Sequence, residues 1–97
     1  MVASVSCDRP LFTAADEALM LRIGAYFEAL GFEIERDRSD TYDGYWMTPP
    51  GTINPAWIIV RQDNGAYELR DGLLTIERRG RSLRDILPPE WMPALAA

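Results

Sequence analysis

The chain has no histidine and no lysine, and each absence closes a class of chemistry. Without imidazole there is no Ser-His-Asp or Cys-His nucleophile pair and no histidine metal ligand. Without a lysine amine there is no Schiff base and no P-loop lysine to hold a β/γ-phosphate. A single cysteine, Cys7, allows no internal disulfide, which favours a reducing compartment, so a cytoplasmic location is expected. No apolar run approaches the ~20 residues that span a bilayer, and no membrane is expected as a partner. Residues 1–10 have neither a basic start nor a long apolar stretch, so no signal peptide is read there. What remains for chemistry is carboxylate, tyrosine, hydroxyl and one thiol. No cofactor and no metal is implied.

Ninety-seven residues with a 47% hydrophobic fraction fit one small globular domain. The net charge of −5 is unevenly spread. Residues 1–48 hold nine acids against four arginines, and residues 49–97 hold six of each. Direct nucleic-acid binding is not expected, because phosphate contacts rest on positive surface. A basic protein surface is the better electrostatic match.

Residues 1–12 read as a flexible leader, 13–88 as a single α+β domain and 89–97 as a proline-broken tail. Thr13 followed by Asp16 has the shape of a capping box. Ala15, Leu19, Ile23, Tyr26, Phe27 and Leu30 recur at helical steps, so a helix is predicted over 13–30. Gly31 is its expected stop, with Phe32 lying over Phe27. The period then changes to two, placing Phe32 and Ile34 in a short strand, with 36–40 as loop and 42–48 as the returning strand. Ser82 with Asp85 repeats the capping pattern and opens a short helix ended by Pro88.

Asn64-Gly65 and Asp71-Gly72 are both strong two-residue hairpin signals. Two-residue turns there pair Arg61 with Glu68 and Val60 with Leu69, then Leu69 with Leu74 and Tyr67 with Ile76. One face would carry Ile58, Val60, Tyr67, Leu69, Leu74 and Ile76 and meet the helix. The other would carry Trp57, Ile59, Arg61, Glu68 and Arg70. The predicted architecture is α+β: one long N-terminal helix packed on an antiparallel meander of about five strands, with a short C-terminal helix.

No catalytic constellation emerges. Asp37, Asp40 and Asp43 have a D-x-x-D-x-x-D spacing, but Arg36 and Arg38 interleave with them and no EF-hand pattern is present. Cys7 has only Arg9 or a helix N-terminus to lower its pKa. Four arginines between 78 and 84 could meet phosphate, yet acids flank them at Glu77 and Asp85. The expected partner-binding residues are therefore Trp57, Ile59, Arg61 and Arg70 on an open sheet face, with the acids Glu33, Glu35, Asp37, Asp40 and Asp43 beside them. The expectation is a non-enzymatic module that occludes a basic or nucleic-acid-handling protein. That would be the manner of small acidic inhibitors, immunity proteins or phage-encoded anti-defence proteins such as anti-CRISPRs, by kind and not by motif. The alternatives are a homodimer paired through sheet faces or edges, and a small carboxylate-based enzyme or ligand-binder.

Overall fold

A computed structural model gives the fold, and it describes residues 11–91. Cys7, Arg9 and most of the expected leader lie outside the described residues, as does the tail from Met92 onward. The fold is α+β, as the sequence predicts. Helix α1 spans Ala14–Ala29. Five strands follow: β1 Glu33–Arg38, β2 Tyr42–Thr48, β3 Trp57–Gln62, β4 Tyr67–Asp71 and β5 Ile76–Gly80. A four-residue helix, α2, covers Leu83–Ile86, and a 3₁₀ turn at Pro89–Trp91 closes the described chain. The sheet is one antiparallel meander in the order β1-β2-β3-β4-β5, so β1 and β5 are its edges.

The helix begins and ends where its chemistry dictates. Thr13 Oγ1 accepts from the Asp16 backbone N–H, and the Asp16 carboxylate accepts from the Thr13 N–H, a complete capping box. After Gly31 the Phe32 N–H returns to the Phe27 carbonyl at 3.0 Å, and the two rings meet edge-on at 5.1 Å. The buried stripe is Asp16, Leu19, Met20, Ile23, Gly24 and Phe27, whereas Ala15 and Leu30 stay exposed. Ser82 Oγ likewise accepts from the Asp85 N–H to open α2.

The sheet corrects the predicted register. Around Asn64-Gly65 the loop has three residues, not two. Gln62 and Ala66 close it, the Gly65 N–H bonds the Gln62 carbonyl, and Gly65 takes the left-handed conformation at φ +92°. Arg61 therefore faces Tyr67, Val60 faces Glu68 and Ile59 faces Leu69, each one position from the expectation. A one-residue step exchanges the two faces of a strand. Trp57, Ile59 and Arg61 turn under the helix, and Ile58 and Val60 turn away from it. The expected Arg61–Glu68 pair is lost, since the two lie on opposite faces.

The second hairpin repeats this geometry with a leucine where the first has glycine. The Leu74 N–H bonds the Asp71 carbonyl, and Leu74 sits at φ +68°. A shift between Leu69 and Arg70 then pairs Tyr67 with Gly80 and Arg70 with Ile76. Leu74 and Ile76, expected in the core, project outward instead. Gly72 is required here for another reason: a Cβ would lie 2.3 Å from the Pro55 carbonyl oxygen, so this hairpin touches the β2–β3 loop through bare backbone.

The paired loops yield a conformational test. A left-handed L-residue costs about 1–2 kcal/mol, partly offset by the greater unfolded-state entropy of glycine. Leu74→Gly should therefore stabilise the fold by about 0.5–1 kcal/mol, while Gly65→Ala should destabilise it by about 1–2 kcal/mol. Urea midpoints at constant m-value read both.

The core lies between α1 and one sheet face. Phe12, Leu19, Met20, Ile23 and Phe27 meet Met47, Ile59, Tyr67 and Leu69, and α2 closes the end with Leu83, Ile86 and Leu87. Trp91 is buried edge-on against Phe27 at 5.0 Å and Trp57 at 6.0 Å. Trp57 is thus covered by the chain's own C-terminal turn. Leu11 and Phe12, expected in the leader, are held in place by hydrogen bonds to Leu11 and by burial of Phe12.

Candidate functional site

Two clusters of polar side chains stand on opposite faces of the sheet. The first lies between α1 and strands β1 and β2. The segment expected as loop, 36–40, is strand as far as Arg38, because Arg36 and Arg38 find acids on the helix side. Arg36 Nε and Nη2 donate to the two oxygens of Asp43 at 2.7 Å each. Arg36 Nη1 and Nη2 donate to Glu17 at 3.0 and 2.8 Å, and Nη1 also to Tyr45 Oη at 2.6 Å. The Tyr45 hydroxyl donates onward to Glu17 Oε1 at 2.6 Å, and the Leu11 N–H to Asp43 Oδ2 at 3.1 Å. The Arg36 guanidinium also lies 4.5 Å from the Tyr45 ring centroid.

Electrostatics follow the geometry. The hydrogen bond from Arg36 holds the Glu17 carboxyl below its ordinary range. Burial pushes the Asp43 carboxyl up, but hydrogen bonds from Arg36 and the Leu11 amide, with the charges of Arg36 and Arg38, outweigh it and bring it below that range. Burial and the Glu17 bond raise the Tyr45 phenol far above its usual value. A neighbouring contact repeats the theme: Tyr67 donates to Asp16 at 2.6 Å, and burial followed by that bond pushes its phenol up to about 12. Glu17 and Asp43, held ionised by Arg36, are poor proton donors near neutrality. The cluster ties α1 to the sheet. Asp43 belongs to it, fully buried, and so leaves the expected partner surface.

The second cluster occupies the other face. Both helices pack on the core side, so among the described residues no helix covers it. The register gathers Glu33, Glu35 and Asp37 from β1, Tyr42 and Trp46 from β2, Ile58, Val60 and Gln62 from β3, and Glu68 and Arg70 from β4. Asp37, Tyr42, Trp46, Ile58, Val60, Gln62, Arg70 and Leu74 line a cavity of about 190 Å³. At one end Asp37 Oδ2 accepts from the Tyr42 hydroxyl at 2.8 Å and from Trp46 Nε1 at 3.1 Å. That hydrogen bond to Asp37, with burial, raises the Tyr42 phenol, which stays a donor. At the other end the carboxylate of Glu68, 2% exposed, accepts from Arg70 Nε at 2.9 Å and from Gln62 Nε2, and pairs with Arg79 at 3.3 Å. Leu74 in its wall is 53% exposed, and beyond the cavity Leu73 and Ile76 are 87% and 45% exposed.

Of the residues expected to bind a partner, Glu33, Glu35, Asp37 and Arg70 share this face, and Asp40 stands exposed in the β1–β2 loop. Trp57, Ile59, Arg61 and Asp43 face the helix. Arg61 Nη1 donates to the Leu11 carbonyl at 2.6 Å, and its guanidinium lies 4.7 Å from the Tyr67 ring centroid. Asp37 and Asp43 thus stand on opposite faces, and among the described residues no group of three or more acids or cysteines could hold a metal ion. No protein family, curated protein or solved structure gives a match to this chain. No described helix is long and apolar enough to cross a membrane. The sequence reading placed Ile58, Val60 and Leu74 under the helix and left the face of Tyr42 and Trp46 open; the structure brings all five together on the open face. The signal was the three-residue loop Asp63-Asn64-Gly65, with glycine third.

Proposed function

We propose that the chain is a non-enzymatic protein-binding module that docks a basic partner protein on its open sheet face and acts by occlusion. The observation that carries this is Leu74. A leucine held at φ +68° and half exposed takes on backbone strain that its hairpin twin avoids with glycine. Strain of this kind persists where the surface has another use. Leu74 walls the cavity opposite Trp46, Ile76 follows it beside Arg70 on the same face, and with the exposed Leu73 they leave apolar surface at that end. The acids Glu33, Glu35 and Asp37 on β1 supply the complement for a basic surface.

The test is quantitative capture from the native host with wild type and the Leu73→Glu/Ile76→Glu double variant. Both sites are exposed, so circular dichroism should stay native. Basic proteins retained by wild type should be lost with the variant, and equal retention removes this face from the account. A second reading has one observation in its favour. The face is dipolar, acidic at β1 and arginine-bearing at Arg70 and Arg79, so a second copy related by a two-fold axis would also be complementary. Light scattering separates the two, because a stable dimer dissociated by the double variant supports self-pairing.

A further inference from the structure

We infer that the cavity beside Trp46 receives an arginine side chain from a basic segment of the partner protein. This rests on the reading of the open face as a protein-binding surface. At about 190 Å³ the cavity is smaller than the ~300–1,000 Å³ of small-molecule pockets and matches one large side chain. Its floor is Ile58 and Val60, its walls Trp46, Tyr42 and Leu74, and its two ends are polar. An occupant must therefore be apolar along its length and charged at its tip.

The ends decide the sign of that charge. Arg70 is already engaged by the buried Glu68, which also pairs with Arg79. An incoming acid would compete with that carboxylate for both guanidinium groups. Among the described residues Asp37 forms no salt bridge on its own face. Its hydrogen bonds come from the neutral donors Tyr42 and Trp46, and both fall on Oδ2. Glu35 and Glu33 follow along the same face of β1 at steps of about 7 Å. Asp37 and Glu68 stand three strands apart, roughly 14 Å, so the Asp37 end is separate from the Arg70 end.

Arginine meets these conditions. Its methylene stem covers Ile58 and Val60, and its planar fork reaches a carboxylate already oriented by two fixed donors. Lysine would supply the charge without the two-pronged geometry. A purely apolar side chain would cover the Asp37 carboxylate without replacing its water, which is unfavourable.

The probe is the blocked pentapeptide Gly-Gly-Arg-Gly-Gly, titrated into isotope-labelled full-length protein and followed by NMR. The expected result is saturable movement of the Trp46 indole N–H and the Leu74 amide with a Kd of about 1–10 mM. The citrulline peptide, of equal shape and no charge, should bind at least about fivefold more weakly. Asp37→Asn, which keeps an oxygen for Tyr42 and Trp46, should weaken the arginine peptide by a similar factor. Equal binding of the two peptides, shifts confined to residues outside the cavity, or no shift by about 20 mM each overturns the assignment. If the peptides fail while Leu73→Glu/Ile76→Glu still abolishes capture of the partner, the arginine inference falls and the protein-binding reading stands.

Discussion

Arg36→Met is expected to lower stability by about 3 kcal/mol, near the lower end for breaking a buried ion pair. Arg36 is the common partner of Glu17 on α1 and of Asp43 and Tyr45 on β2. Methionine fills much of the volume but leaves the Asp43 carboxylate, 1% exposed, without its two-pronged partner. Arg38, 3.5 Å away, recovers part of the attraction, which sets the estimate at the low end. For a domain of this size the loss is a fall in Tm of about 12 °C or more. The pH dependence carries the sign. Glu17 and Asp43 have folded pKa values below their unfolded ones. Their stabilisation is complete above the unfolded carboxylate range, and it is lost as pH falls through the lower folded values. Wild type should therefore weaken as pH drops below about 4. In Arg36→Met the Asp43 carboxyl, desolvated and left with only the Leu11 amide and the more distant Arg38, should titrate higher, so the gap between the proteins narrows in acid. Thermal melts from pH 7 to pH 3 measure both effects, and parallel curves would remove the network from the stability account.

Ile59→Ala is the second large effect, about 2–5 kcal/mol. Ile59 has no exposed surface and stands opposite Leu69 in the core. Truncation leaves a void that the helix and sheet cannot fully close. The two-residue-turn register would have placed the same side chain on the open face, where truncation costs a few tenths of a kcal/mol. Urea denaturation of this one variant thus discriminates between the registers.

That single step marks where the sequence was legible and where it was not. The helix, its capping box and the Gly31 stop could be read because each depends on contacts within a few residues. The strand positions and the meander followed from turn residues and alternation. Register depends on whether the loop holds two residues or three, and Asn64-Gly65 is compatible with both. Ile58-Ile59-Val60 is apolar at every position, so alternation could not choose a face for β3. In the β4–β5 loop the glycine of Asp71-Gly72 misled differently. It is needed for the close approach to Pro55, while the left-handed position falls to Leu74, a residue that gives no such signal. The candidate site changed accordingly. Its acids on β1 and Arg70 were identified in advance, but its aliphatic floor of Ile58 and Val60 was assigned to the helix side, and the face of Tyr42 and Trp46 was left open.

The two boundary strands carry a further meaning. β1 reads Glu-Ile-Glu-Arg-Asp-Arg and β5 reads Ile-Glu-Arg-Arg-Gly. A foreign strand zipping onto either margin would bring its side chains against dense charge of both signs, a known deterrent to fibril-like growth. Edge-to-edge association is thereby disfavoured at both selvedges of this small fabric. Concentrated solutions should stay clear for the same reason.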